Sequence, residues 1–261
     1  MKNKFLNLLL VFCLIIPCVC CFSACDDKTP PQTPPTVVHV TESVDLASAI
    51  NQVANGGKVV LDVNVTLSNQ LNINKKVEID LNGKIINNTE DIRNIYQKDA
   101  SGEFVLDGES NKIELPIEEQ SWSLISVREN GDLTISNHNG RFEAKLDDCY
   151  VVDVRGGKLT IESGQFMGNI SAVYVHSGEA IINDGTFGIQ QLAEGTDEYA
   201  LLLDCNDENY ENETAVIILN GGLFVGYNPM DAVEENFLSN GLSIVECGEN
   251  VYHIEPIIVG E

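Results

Sequence analysis

Basic residues are scarce in this chain of 261 residues. It carries 15 Lys and Arg against 40 Asp and Glu, so the formal net charge is −25 at pH 7. A surface of this sign repels the phosphates of nucleic acid and the headgroups of anionic lipid. The composition therefore argues against both as direct partners and is compatible with neutral glycans, cations or basic patches on other proteins.

The first 24 residues have the organisation of a secretory signal peptide. Two lysines precede an apolar run over residues 5–22, and the chain turns polar soon after it. The sequence Phe-Ser-Ala-Cys at residues 22–25 resembles the lipobox of bacterial lipoproteins, although Phe22 stands where Leu, Val or Ile is usual. This resemblance implies cleavage before Cys25 and lipidation of Cys25, which would anchor the protein at the extracellular face of the bacterial membrane. The alternatives are a signal peptide cleaved nearby and an uncleaved transmembrane anchor.

Residues 25–36 predict an extended tether. Four prolines alternate with Thr and Gln in this stretch, a composition that cannot bury a core. No second break in composition follows, so residues 37–261 predict a single domain.

Cysteine is sparse beyond the lipobox, where Cys149, Cys205 and Cys247 remain. Three cysteines cannot all pair within one chain, and none of them has the spacing of a Cys-x-x-Cys motif or of a Cys/His metal site. We interpret them as buried small apolar residues and leave their pairing open.

Four segments of the domain share one sequence pattern that ends in phenylalanine, and this repeat predicts the fold. Each contains a short apolar or alternating strand, then a polar or glycine turn, then phenylalanine. The phenylalanines are separated by 24, 21 and 37 residues. A parallel β-helix uses about 20 residues per coil, so the longer intervals indicate loops. The four residues are Phe142, Phe166, Phe187 and Phe224.

A second short strand precedes each of these segments, at residues 124–127, 151–154, 173–175 and 201–203. Helical periodicity is nearly absent here. Strands this short cannot bury their inner faces alone and must stack on neighbouring coils. Alternation predicts that seven residues point inward beside the phenylalanines: Val152, Val154, Leu159, Ile161, Val173, Val175 and Ile182.

Both ends of the domain differ from its middle. Apolar residues at helical spacing over 44–54, closed by Asn-Gly-Gly, predict an amphipathic helix that covers the first coil, with strands at 58–67 and 77–81. The corner Asp-Leu-Asn-Gly at 80–83 resembles that of the pectate-lyase-like right-handed β-helix superfamily. The C-terminal segment, with strands at 243–246 and 251–254, resembles that of adhesin-like bacterial surface lipoproteins.

The resemblance implies an all-β fold, namely a single-stranded right-handed parallel β-helix (solenoid) with an N-terminal capping helix. It does not specify a function, because this superfamily contains lyases, hydrolases, adhesins and phage spikes.

Alignment of the first strand of each coil predicts two neighbouring outward columns. One contains Arg128, Arg155, His176 and Asp204, and the other contains Ser126, Asp153, Tyr174 and Leu202. Such side chains on a flat sheet suit hydrogen bonding to sugars and stacking on them. The candidate ligand-binding residues are therefore Arg128, Asp153, Arg155, Tyr174, His176 and Asp204, with a glycan or another component of a host or cell-wall surface as partner. The alternative is a structural ladder in which the aspartates neutralise the arginines and the histidine.

An acidic stretch offers a candidate metal site. Asp204, Asp207, Glu208 and Glu211 carry the carboxylate oxygens that Ca²⁺ prefers, but neither Asp-x-Asp-x-Asp spacing nor a loop glycine fixes their geometry. A solvated acidic loop is the alternative. No other cofactor is predicted.

No catalytic residues are predicted. Arg155 beside Asp153 is only a reduced version of a lyase site. The adjacent carboxylates at 147–148 would point to opposite faces of a strand. We expect adhesion or glycan binding, with a passive scaffold role and a polysaccharide lyase or glycoside hydrolase as the alternatives.

Overall fold

The structure is a computed structural model, and the part of the chain that it describes begins at the end of the predicted tether. It describes residues 33–88, 96–98, 104–106, 123–137, 139–145, 149–189, 202–229 and 236–258. The predicted signal peptide and Cys25 lie outside these residues. The chain divides into residues 1–32 and 33–261, and all described residues belong to the second unit. No helix in the described ranges is long and apolar enough to cross a membrane.

The domain begins with strand β1 (Val37–Val40), helix α1 (Leu46–Gln52) and strand β2 (Gly57–Leu61). The helix starts where the Asp45 side chain accepts a hydrogen bond from the Ser48 backbone N–H, which satisfies one of the free donors of the first turn. Its apolar face is buried through Leu46, Ala49 and Ile50. The predicted N-terminal helix is confirmed, although it is shorter than expected.

All but one of the remaining elements in the described chain are strands, and most of them are short. They are β3 (Val65–Thr66), β4 (Leu71–Ile73), β5 (Lys76–Asp80), β6 (Ile85–Asn87), β7 (Tyr96–Lys98), β8 (Phe104–Leu106), β9 (Ser123–Arg128), β10 (Asp132–Ser136), β11 (Arg141–Glu143), β12 (Tyr150–Ile161), β13 (Gln165–Gly168), β14 (Ser171–Ile182), β15 (Thr186–Ile189), β16 (Leu203–Cys205), β17 (Ala215–Leu219), β18 (Leu223–Val225), β19 (Leu242–Gly248) and β20 (Val251–Pro256). A second helix, α2 (Asp207–Glu211), follows β16.

The largest sheet has ten strands, all paired in parallel. The long strands β12 and β14 each take part in two series. Their first halves continue the series β4, β9, β12, β14 and β16, and their second halves continue the series β1, β2, β5, β10, β12, β14 and β17. The first series carries the predicted site residues.

A second sheet has eight strands in the order β3, β6, β11, β13, β15, β18, β20 and β19. It is parallel as far as β18, and the hairpin of β19 and β20 adds to it in antiparallel fashion. The two predicted C-terminal strands are therefore confirmed, within a mixed sheet. Strands β7 and β8 form a separate antiparallel pair.

The repeated phenylalanines form one stack across the second sheet. Phe142, Phe166, Phe187 and Phe224 are successive register partners, and all are fully buried. Their ring centroids are 5.1, 5.1 and 5.3 Å apart. The seven residues that alternation predicted to point inward are also fully buried. The expectation of a mostly β domain with parallel sheets is confirmed.

The three cysteines do not share one environment. Cys149 and Cys205 are buried, as predicted, and burial raises the pKa of the Cys149 thiol. Cys247 lies exposed on β19, so the prediction that it is buried is wrong. Its strand is the last one of its sheet, where only one neighbouring strand covers it. No disulfide joins these three cysteines.

Candidate functional site

Strand register brings five side chains into one row across the first series of strands, which we call the polar column. Asn72, Ser126, Asp153, Tyr174 and Asp204 are successive partners on β4, β9, β12, β14 and β16. Neighbouring strands lie about 4.8 Å apart, so the column spans about 19 Å. Three of the predicted ligand-binding residues therefore lie side by side.

The position predicted for Asp204 is wrong by two residues. Leu203 pairs with Val173, which makes Asp204 the partner of Tyr174 rather than of His176. The predicted outward column is also mostly covered: Ser126, Asp153 and Leu202 are fully buried, and of its four residues only Tyr174 is partly exposed. A slip of two residues keeps every side chain on its predicted face, so apolar alternation cannot distinguish the two registers.

The arginines lie where the alignment put them, but His176 does not join them. Arg128 and Arg155 are register partners on β9 and β12. The pairing of β12 with β14 shifts at this point, and Arg155 pairs with Ser177. The extra residue on β14 is His176, whose backbone carbonyl accepts a hydrogen bond of 2.6 Å from the Asn209 side chain.

A buried hydrogen-bond network holds the Asp153 carboxylate. The Ser123 hydroxyl donates to Asp153 Oδ1 at 3.1 Å, and Arg155 Nε donates to Asp153 Oδ2. The Gln70 amide donates in turn to the Ser123 hydroxyl at 2.7 Å. Asp153 and Ser123 have no solvent exposure, so these bonds compensate for the cost of burying a carboxylate.

Arg128 is held by amides rather than by carboxylates. Its Nε donates to Asn72 Oδ1 at 2.7 Å, and its Nη2 donates to Gln70 Oε1 at 2.8 Å. The alternative interpretation of a ladder in which aspartates neutralise all the cations therefore describes only the pair of Asp153 and Arg155. Within the described residues, Asp204 forms no ion pair with Arg128 or Arg155.

A pair of tyrosines borders this network. The rings of Tyr150 and Tyr174 stack with centroids 5.2 Å apart and planes at 29°, and both residues are partly exposed. Sequence reasoning missed Tyr150, because alternation assigns it to the same face as the inward Val152. A tyrosine one repeat upstream of Tyr174 is the only signal that could have indicated it.

Sequence reasoning also missed the residues that hold Arg128 and Asp153. Gln70, Asn72 and Ser123 lie on or beside strands that a long insertion separates in the chain, with Gln70 and Ser123 53 positions apart. Polar residues of these types occur throughout the chain, so no local signal identifies them. Only the pairing of β4 with β9 brings them together.

Negative charge gathers at the far end of the polar column. Burial and, to a lesser extent, the nearby Asp207 carboxylate raise the pKa of the Asp204 carboxyl to about 6, while a hydrogen bond from the Cys205 backbone N–H acts in the opposite direction. Burial also raises the pKa of Tyr174, against a hydrogen bond with the Asn206 side chain. The column is thus cationic near Arg128 and anionic near Asp204.

The other predicted calcium ligands lie on a short helix rather than in a loop. Asp207, Glu208 and Glu211 belong to α2, which starts where the Asn206 side chain accepts from the Asn209 backbone N–H. Among the described residues, no group of three or more His, Cys, Asp or Glu side chains is arranged to hold a metal ion. The calcium site stays a prediction.

The adjacent carboxylates at 147–148, considered for hydrolysis, lie outside the described residues. Comparison of the chain with protein-family models, with curated proteins and with solved structures finds no match.

Proposed function

We propose that the exported domain is a single-stranded right-handed parallel β-helix with α1 as its N-terminal cap. The regular strand pairing supports this proposal. Lys158 pairs with Glu179 in one sheet, and Phe166 pairs with Phe187 in the other, both 21 residues apart. Strands of the two sheets also alternate along the chain, as they do when each coil contributes to both. The right hand follows the strong preference of crossovers between parallel strands.

We propose further that the protein is secreted and anchored at the cell surface by a lipid on Cys25. The charged start, apolar run and lipobox-like sequence support this assignment. The wild-type protein should incorporate labelled fatty acid, and the variant Cys25→Ala should not. Wild-type protein that stays in the membrane fraction without incorporating the label would indicate an uncleaved anchor instead.

The function that the geometry supports best is the binding of a glycan along the polar column. One observation carries this proposal: the partly exposed Tyr150 and Tyr174 rings stack on each other, and Tyr174 lies near Arg155, which donates a hydrogen bond to the buried Asp153. Sugar recognition combines aromatic faces, which pack on the apolar face of a ring, with a few fixed polar groups that bind hydroxyls. Both parts are present in one row of strands.

A glycan array tests the proposal with matched variants. Tyr174→Ala and Arg155→Ala should each weaken binding at least tenfold, because they remove the stacking face and the fixed donors. Lys158→Ala is the control, since Lys158 lies on the same strand but pairs with Glu179 on the other series. Thermal unfolding of each variant checks that it folds.

Undiminished binding by the Tyr174 variant would contradict the proposed site, and failure of the folded wild-type domain to bind any glycan would contradict the function. Unsaturated products or new reducing ends after incubation would indicate a lyase or hydrolase instead.

A further inference from the structure

Two of the four arginines in this acidic chain lie in register on adjacent strands. Arg128 on β9 and Arg155 on β12 are direct partners, at the usual strand spacing of about 4.8 Å. Like charges directly opposite each other destabilise a sheet unless a counter-charge lies between them. Negative charges are therefore expected to neutralise Arg128 and Arg155.

The described residues neutralise only one of these two positive charges. Asp153 pairs with Arg155, while Arg128 is held by the neutral side chains of Asn72 and Gln70. The next acidic group along the column, Asp204, forms no ion pair with either arginine in the described part of the chain. Among the described residues, one positive charge is therefore without a counter-charge at this end of the column.

The remaining guanidinium groups are oriented for a ligand. Arg128 donates hydrogen bonds through Nε and Nη2, and Arg155 donates one through Nε. These bonds hold both groups and leave Arg128 Nη1 and both terminal nitrogens of Arg155 without a partner among the described residues. The Arg155 side chain is 34% exposed, so an external group can reach it. The buried hydroxyl of Ser126, two residues before Arg128 on the same strand, also has no hydrogen-bond partner within the described ranges.

We infer that Arg128 and Arg155 together bind an anionic substituent of the glycan, a carboxylate or a sulfate ester, and this inference rests on the proposed function. Planar guanidinium groups match the oxygen geometry of both anions, and groups already held in place lose little entropy on binding. The carboxylates of Asp204 and Asp207 repel an anion from the other end of the column. The charged substituent is thus directed to the arginines, and the uncharged ring to the tyrosines.

Pairs of immobilised glycans that differ only by one carboxylate or one sulfate test the inference; galactose with galacturonic acid, and lactose with 3′-sulfated lactose, form such pairs. The wild-type protein should bind the acidic member of a pair at least tenfold more tightly than the neutral member, and added salt should reduce this preference. The relative affinity for the carboxylated and sulfated members identifies which anion is preferred.

Arg128→Gln should remove the preference for the acidic member, so that the acidic and neutral members of a pair bind equally. This variant is the safer test, since the partners of Arg128 are uncharged, whereas Arg155→Gln leaves Asp153 without its cation. Equal binding of neutral and acidic members, or a preference that survives in R128Q, overturns the anion site and leaves glycan binding intact. Absence of binding to every member of a broad array overturns both.

Discussion

The phenylalanine stack and the polar column both run across parallel strands, one partner after another, yet they differ in composition. The stack repeats one side chain from Phe142 to Phe224 and excludes solvent completely. The polar column changes its residue on every strand, from Asn72 to Asp204. One repeated apolar side chain is enough to hold the strands together, whereas a site for a specific ligand requires different side chains on successive strands.

The two rows also differ in where their partners come from. Each phenylalanine stacks on the same residue of the next strand, so the contacts along the stack are of one kind. Asp153 instead depends on Ser123 and Arg155, and Arg128 depends on Gln70 and Asn72. We expect substitutions in the stack to affect stability most, and substitutions in the column to affect binding as well.

The largest effect should come from the middle of the stack. Phe187→Ala removes a fully buried ring that lies between two others, and it should lower the free energy of unfolding by about 3–5 kcal/mol. Urea denaturation followed by circular dichroism measures the change. Phe187→Leu is the control and should lose less, because it keeps most of the volume. A loss in F187A no larger than that of a surface variant would contradict a cooperative stack.

A smaller effect is expected in the polar column. Asp153→Ala leaves the Ser123 hydroxyl and Arg155 Nε without their acceptor, and it should lower the free energy of unfolding by about 2–3 kcal/mol. Asp153→Asn keeps one oxygen acceptor and should lose less. Denaturant titrations at one pH compare the two. Equal losses would show that the charge of Asp153 matters and its hydrogen bonds do not.

The sequence predicts these two rows unequally, for physical reasons. Each repeated segment ends in Gly-x-Phe, and this ending identifies the stack. Phenylalanines that recur at the same point of successive coils, such as Phe166 and Phe187, are expected to bury one another. Predicting the polar column requires the exact register between neighbouring strands. Alternation of apolar residues does not distinguish registers that differ by two residues, so Asp204 was aligned with His176 instead of Tyr174. The bulge at His176 has no apolar signature, and Gln70 reaches Arg128 only through tertiary pairing.

The acidic end of the column should give a pH-dependent difference of about 1–2 kcal/mol, after allowance for solvent screening. The pKa of Asp204 rises from 3.8 to about 6 in the folded protein, so the folded state binds a proton more tightly than the unfolded state. The wild-type protein should therefore lose this contribution as the pH rises from about 4 to about 6. Asp204→Asn should not lose it.

Urea denaturation of the wild-type protein and D204N between pH 4 and pH 8 measures that difference. Asp207→Asn is a matched control: it removes the neighbouring negative charge, lowers the pKa of Asp204 and should shift the loss to lower pH. A constant difference between the wild-type protein and D204N across this range would contradict the raised pKa.

The smallest effect should come from the exposed charges on the other series of strands. Lys158 Nζ lies 2.7 Å from the Glu179 carboxylate, with side-chain exposures of 45% and 37%. Water and salt screen a pair this exposed, and holding two long side chains in place costs entropy, so Lys158→Ala should change the free energy of unfolding by less than about 1 kcal/mol. Repeating the denaturation in high salt should reduce even this difference. A loss comparable to that of D153A would mean that exposed cross-strand charges contribute as much to stability as the buried network of the polar column. The polar column would then not differ energetically from the rest of the sheet surface.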